Sequence, residues 1–170
     1  MKPQHQIVLS LGTNQGNRLE NIKHCLQLIH QEIGTVIKVS RLYETPSWGF
    51  DSDAFYNCAL VLHTFDSAHK ILTTILKIER QLGRVRGDTL GYQSRIIDID
   101  LITFDSAIVD SEELQIPHPL MQNRKFVLLP MLDLNLDWKH PVFQKNISEL
   151  LEISPDQSVC KVVQDLESPV

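Results

Sequence analysis

Asp98 and Asp100 stand one residue apart inside the run Ser94-Arg95-Ile96-Ile97-Asp98-Ile99-Asp100-Leu101-Ile102. The β-branched, apolar neighbours predict a strand, in which side chains alternate between two faces. Both carboxylates therefore share a face, with Cα atoms roughly 6.5–7 Å apart. Aspartate is depleted in strands, and two neighbouring carboxylates repel unless a cation lies between them. A hard divalent ion completed by phosphate oxygens suits a site with one or two carboxylates, and Mg²⁺ is the natural candidate. The plain alternative is the solvated face of a half-exposed strand. Against it, Ile97, Ile99 and Leu101 make one apolar face, and Ile96 and Ile102 make the other apolar too apart from the aspartates. Carboxylates on such a face need a partner. Arg95 starts on the opposite face, and a twist near Ser94 would bring it round to an anion.

The elements that must position these residues are legible in order. Ile7–Leu11 reads as a strand, and Gly12–Asn17 as a turn in which Asn17 or Thr13 caps the next element. Leu19, Ile22, Leu26, Ile29 and Ile33 have helical spacing, and Gly34 ends that helix. Val36–Tyr43 and Phe55–Thr64 are strands, separated by a loop containing Pro46, Trp48 and Gly49. A helix starts at Ser67, turns Ile71, Leu72, Ile75, Leu76 and Ile78 inward, and ends near Gly83. A polar loop, Arg84–Ser94, precedes the aspartate strand. The order βαββαβ predicts an α+β, ferredoxin-like fold: an antiparallel sheet with helices packed on it. Beyond it come a short strand at Ala107–Val109, an extended Gln115–Pro119, helices at Phe126–Leu132 and Ile147–Ile153, and a strand at Ser158–Val163.

The 170 residues fit a single domain spanning 1–170. A hydrophobic fraction of 42% with 22% charged residues is that of a globular chain. The net charge of −5 argues against a nucleic-acid partner, which calls for a basic surface. Cys25, Cys58 and Cys160 are scattered without metal spacing, which fits a reducing compartment. No leader-type or membrane-spanning apolar run is present. The expectation is a cytoplasmic monomer with no membrane or nucleic-acid partner.

Several blocks, taken in order, resemble one family: Leu11-Gly12-Thr13-Asn14, Tyr43-Glu44-Thr45-Pro46, Phe55-Tyr56-Asn57, Ile78-Glu79, Gly83-Arg84-Val85-Arg86, Arg95-Ile96-Ile97-Asp98-Ile99-Asp100, and Pro117-His118 with Asn123-Arg124-Lys125-Phe126. Together they are similar to the 6-hydroxymethyl-7,8-dihydropterin pyrophosphokinases of folate biosynthesis. The likeness runs from about residue 7 to about residue 151 and leaves a C-terminal extension outside it. It implies transfer of the two terminal phosphates of ATP to the hydroxymethyl group of the pterin, with AMP leaving. It implies two Mg²⁺ ions held by Asp98 and Asp100, ATP as co-substrate, and the hydroxymethyl dihydropterin as the other small-molecule partner. Arg84 and Arg95 match catalytic arginines. Glu79, Arg84, Arg86, Arg95, His118 and Arg124 match ATP-site residues. Phe55 and Phe126 match an aromatic sandwich for the pterin, Asn57 the reader of its polar edge, and Thr45, Pro46 and Trp48 the loop lining it. Gly12 and Asn14 match a first loop, as hinge or turn.

The chemistry agrees with these roles. Guanidinium groups grip phosphate bidentately, flat heteroaromatic rings stack between aromatic faces, and an amide side chain both donates and accepts. Each residue also has a plainer reading. Arg84 and Arg86 could be solvated loop charges, Glu79 a helix-surface salt bridge, Phe55 ordinary core and His118 structural. Gln93, Gly87, Glu113 and Pro119 depart from the family's usual residues on the ATP side, and no proposed metal ligand or pterin contact is missing. Two rival readings stay open: a metal-dependent phosphohydrolase using the same aspartate pair, and a non-catalytic binding module of ferredoxin-like fold.

Overall fold

The structure, a computed structural model, describes residues 1–46, 53–83 and 96–169. Its frame is β1 (His5–Thr13), α1 (Arg18–Glu32), β2 (Thr35–Val39), β3 (Leu42–Thr45), β4 (Phe55–Thr64), α2 (Ala68–Gln81) and β5 (Asp98–Phe104). A short hairpin of β6 (Val109–Asp110) and β7 (Gln115–Ile116) comes next. Then come α3 (Lys125–Asp133), α4 (Ile147–Ile153) and β8 (Lys161–Gln164). The main sheet runs β5-β1-β4-β3-β8, with β2 also on β4, and every pairing is antiparallel. The fold class is α+β.

Alternation gives the sheet two unlike faces. Ile7, Leu9 and Leu11 of β1, Leu60 and Leu62 of β4, and Ile99 of β5 point to one side. There they pack on Ile22 and Ile29 of α1 and Ile71, Ile75 and Ile78 of α2. Asn17 caps α1 by accepting from Glu20 N–H, and Ser67 caps α2 by accepting from Lys70 N–H. The intervening residues Val8, Ala59, Val61 and Ile102 point the other way, onto Val127, Leu128 and Met131 of α3 and Ile147 and Leu150 of α4. Cys25 and Cys58 are buried thiols within the first core, and burial pushes Cys58 up to about 12. No helix among the described residues is long and apolar enough to cross a membrane.

Three local expectations are corrected. The strand expected at Val36–Tyr43 is two strands lying end to end along one edge of β4. At the break, Ser40 N–H donates to Ala59 O and Ser40 Oγ accepts from Ala59 N–H, so a side chain replaces one rung of the ladder. The turn expected at Gly12–Asn17 begins later, because Gly12 and Thr13 belong to β1 and Asn14 is buried. Gly34 does follow α1, one residue beyond its C-cap Ile33, but not through a left-handed conformation. A Cβ there would stand 2.2 Å from His63 O, so the residue is glycine because two backbones meet.

Candidate active site

On the face bearing α3, the side chains change character along three adjacent strands at once. β1 goes from Val8 to Ser10 to Gly12, β4 from Val61 to Ala59 to Asn57 to Phe55, and β5 from Ile102 to Asp100 to Asp98. The register aligns these steps. Asp98 pairs with Gly12, which pairs with Asn57, and Asp100 pairs with Ser10, which pairs with Ala59. The two half-buried aspartates thus share a face and lie beside residues with little or no side chain.

The other end of the row is polar and buried. Asn57 is only 4% exposed, and its Nδ2 donates to Thr45 Oγ1 at 2.6 Å. Thr45 is therefore a side-chain participant at the buried end of β3, while Pro46 after it is exposed. A Cβ at Gly12 would stand 2.9 Å from Asn57 Oδ1 and 3.7 Å from Phe55 Cδ1. Glycine at position 12 is what lets the amide and the Phe55 ring approach β1. Phe126 lies in the first turn of α3, half-buried against the core on this same face. The Arg124 guanidinium carbon is 5.6 Å from the Phe126 ring centroid.

His118 comes after the cis Ile116–Pro117 bond and is tied to β5 by its N–H, which donates to Ile102 O at 2.9 Å. Burial, with the Arg124 charge adding to it and Asp98 opposing, lowers its imidazole to about 4, so the ring is neutral near pH 7. Its Nδ1 accepts from Leu120 N–H at 3.2 Å, which leaves Nε2 as the protonated, donating nitrogen. His118 and Asp100 both line a cleft of about 370 Å³ along the outer edge of β5, with Ile99 and Leu114 as apolar walls. The sequence departures Glu113 and Pro119 line this same cleft.

Glu79 is placed otherwise than a surface salt bridge. It is buried on α2, on the opposite face, and its Oε1 accepts from Ile99 N–H at 3.1 Å. It braces β5 between the two aspartates from below. Trp48, Arg84, Arg86 and Arg95, with Gly87 and Gln93, lie outside the described residues. The residues directly after these two segments are pinned. Asn14 Nδ2 donates to Asp53 O at 3.3 Å and Arg18 Nη1 to Ala54 O at 2.7 Å. Thr13 Oγ1 donates to Ile96 O, which also receives Asn21 Nδ2.

Sequence reasoning missed two contributors to this face. Asp133, at the end of α3, accepts from Tyr43 OH at 2.7 Å and from Arg41 Nη2 at 3.0 Å, which clamps α3 to β3. Asp156 Oδ2 accepts from Lys125 N–H at 2.8 Å, at the start of α3. The Asp156-Gln157-Ser158 pattern signals a local turn, and nothing local signals the partner at Lys125.

Among the described residues the carboxylate pair offers a cation two side-chain ligands. Among the described residues no three His, Cys, Asp or Glu side chains gather for a metal. Two carboxylates beside Gly12 and Ser10 fit a hard ion that keeps its remaining positions for phosphate oxygens and water.

Fold and site together describe an α+β protein that carries a row of polar groups, from Asp98 to Asn57, on the sheet face away from its two long helices. Comparison with known proteins is more specific. The family described as 7,8-dihydro-6-hydroxymethylpterin-pyrophosphokinase (HPPK) matches residues 8–136, and the chain belongs to it. The 2-amino-4-hydroxy-6-hydroxymethyldihydropteridine pyrophosphokinase of Porphyromonas gingivalis is 38% identical over 138 residues, 79% of this chain and 93% of that protein. The Aquifex aeolicus protein of that name is 29% identical over 144 residues, 84% of this chain and 88% of its own length. The folic acid synthesis protein FOL1 of Dictyostelium discoideum is 36% identical over 136 residues, 79% of this chain and 20% of that protein. The chain thus spans about a fifth of that relative. In structure the chain is similar to Plasmodium falciparum HPPK-DHPS, with a TM-score of 0.73 at 19% identity over 89% of this chain and 46% of that one. That likeness shows the fold.

Proposed function

We propose that this chain transfers the terminal diphosphate of ATP to the hydroxymethyl oxygen of 6-hydroxymethyl-7,8-dihydropterin, releasing AMP. One observation carries the reading beyond family membership: a single sheet row joins Asp98, Gly12 and Asn57, with phosphate chemistry at one end and an amide edge reader at the other. The hydroxymethyl oxygen attacks the β-phosphorus and loses its proton. The bond from that phosphorus to the α,β-bridging oxygen breaks, and AMP leaves with the oxygen. Asp98 and Asp100 would hold Mg²⁺, two ions by family resemblance, and bound Mg²⁺ neutralises the triphosphate charge that otherwise repels the incoming oxygen.

The chain's own residues do the rest. Asn57, fixed by Thr45, reads the pterin's polar edge, and Phe55 and Phe126 offer aromatic faces to its ring. Thr45 and Pro46 stand at the end of β3 on that side, and the resemblance implies that Trp48 joins them. The cleft along β5 takes the nucleotide, with neutral His118 donating from Nε2 and Arg124 supplying positive charge. Arg84 and Arg95 track the charge as it develops, and Arg86 assists ATP binding. Glu79 belongs to the ATP side as the resemblance implies, and its bond to Ile99 N–H also positions β5.

The strand order supports reading the fold as ferredoxin-like: β5-β1-β4 is completed by the collinear β2 and β3, α1 and α2 cover one face, and β8 is an extension on β3. We read residues 1–170 as one domain working as a cytoplasmic monomer without nucleic-acid or membrane partners.

The test is an AMP-release assay with ATP, Mg²⁺ and the hydroxymethyl dihydropterin. Pterin-dependent AMP formation is expected. Inorganic phosphate or diphosphate released without the pterin supports the phosphohydrolase instead. Inactivity with intact pterin binding supports a binding module.

A further inference from the structure

α3 is poorly equipped to hold its own first turn. It has nine residues, and Arg124 at its N-cap position is extended and makes no side-chain capping bond. Pro130 inside the helix removes the N–H that would bond the Phe126 carbonyl. So short a helix is not stable in isolation. Yet Arg124 and Phe126, at this first turn, are the two residues that α3 brings to the site.

The missing cap comes from a distant part of the chain. Asp156 Oδ2 accepts from Lys125 N–H at 2.8 Å, and Asp156 Oδ1 accepts from Ser158 N–H at 2.8 Å. A carboxylate bonded to a first-turn N–H is what a helix N-terminus favours. Burial alone would raise the Asp156 carboxyl, but the hydrogen bonds from Ser158 and Lys125 overcome it and hold it below the usual carboxylate range. The segment then enters the sheet as β8, where Val162 pairs with Tyr43 and Lys161 with Glu44. Those residues directly precede Thr45, the partner of Asn57. One strap from Ser154 to Gln164 therefore joins both walls of the pocket: the first turn of α3 and the edge of β3. It lies beyond residues 8–136, to which the family likeness applies.

We propose that Asp156 is a positioning residue for the pterin pocket, capping α3 from outside and setting where Arg124 and Phe126 stand. This rests on the pyrophosphokinase reading, since it is the pterin that Phe126 would stack on. A purely structural Asp156 would change stability and leave substrate affinities alone.

The experiment compares the full-length chain with Asp156→Ala and Asp156→Asn, measuring KM for each substrate, kcat, and hydrogen exchange at the Lys125–Val127 amides without ligand. Asp156→Ala should raise the pterin KM by about three- to tenfold, the scale of a lost cap. It should leave kcat within about twofold and speed exchange at Lys125. Asp156→Asn, whose single carbonyl oxygen can replace one of the two bonds, should give an intermediate KM, and it carries the test if the alanine variant does not fold. Turnover with a wild-type pterin KM in Asp156→Ala, or unchanged exchange at Lys125, overturns the positioning role alone. A wild-type chain that makes no AMP overturns the reaction itself, and the pterin role with it.

Discussion

Adding one methyl group at Gly12 should separate pterin binding from everything else the protein does. A Cβ at this position would stand 2.9 Å from Asn57 Oδ1 and 3.7 Å from Phe55 Cδ1, and it meets no other described atom within 4 Å. Asp98, its neighbour in the register, is thus untouched, so the carboxylate pair keeps its place. The first contact is shorter than real Cβ atoms show, and the Asn57 amide must move by a few tenths of an ångström. Its bond to Thr45 starts at 2.6 Å, short enough to stretch that far and survive. Folding stability should therefore fall little. The lower backbone entropy of alanine in the unfolded chain, about 0.4–1 kcal/mol, offsets much of the strain, since position 12 is an ordinary strand residue without positive φ. Binding has no such compensation. A displaced amide misses the hydrogen bonds of the pterin edge, costing about 1–2 kcal/mol, or roughly 5- to 30-fold in Kd. Isothermal calorimetry of Gly12→Ala should show that loss for the pterin, within about twofold unchanged affinity for a non-hydrolysable ATP analogue with Mg²⁺, and a melting temperature near wild type. Wild-type pterin affinity in a folded variant would refute the assignment of Asn57 as edge reader. Equal losses for both ligands would refute the separation of the two ends of the row.

Asp98→Ala and Asp100→Ala should each cut kcat by orders of magnitude while preserving the circular dichroism spectrum; near-normal turnover in both would exclude the cation site. His118 gives a pH signature. Its imidazole is lowered to about 4 in the folded chain against an ordinary value near 6.5, so the unfolded chain binds the extra proton between those values. Its contribution is fully present above about pH 6.5 and is lost as pH falls toward about 4, on the order of 1–3 kcal/mol. Denaturant titrations of wild type and His118→Gln across that window should show a steeper acid decline in wild type. Parallel curves would mean that the ring is not held neutral.

The residues that were easiest to find in the chain are those that break a local rule. Asp98 and Asp100 interrupt a β-branched run, and period two alone places them together. Asn57 interrupts an apolar strand in the same way. Glu79 was legible in part: it falls four residues after Ile75 and eight after Ile71, on the inward stripe of its helix, so spacing alone pointed to burial. Its partner, Ile99 N–H, belongs to another element and has no local signal. The break between β2 and β3 was hidden for a related reason. Nothing near Ser40 announces that its hydroxyl will stand in for a backbone acceptor to Ala59. Asp133 and Asp156 act over 90 and 31 positions of chain respectively, and such pairings arise only when the elements dock. The caps of α1 and α2 come from the residue just before each helix, whereas the cap of α3 and the other supports of the pocket arise from packing.

The location of the site depends on one irregularity in β5. Asp98, Asp100, Ile102 and Phe104 are all even-numbered, so strict alternation would put all four side chains on one face. Phe104, however, packs in the core beneath α1 and α2, paired with Ile7, while the aspartates pair with Gly12 and Ser10 on the other side. The two placements are reconciled between Val8 and Leu9 of β1, where the register shifts and Ile102 becomes the extra residue of β5. On one side of the bulge Phe104 faces the helical core. On the other Leu101 and Ile99 face it, which sends the alternating carboxylates to the open face, and Ile102 joins the core under α3. A one-residue change of register turns every side chain over, so without the bulge either Phe104 would lose its core or the aspartates would be driven into it. The sheet therefore keeps an unbroken apolar face toward α1 and α2 and still places two carboxylates where α3 stops covering it. That border is where a charged ligand can be both solvated on entry and gripped once bound.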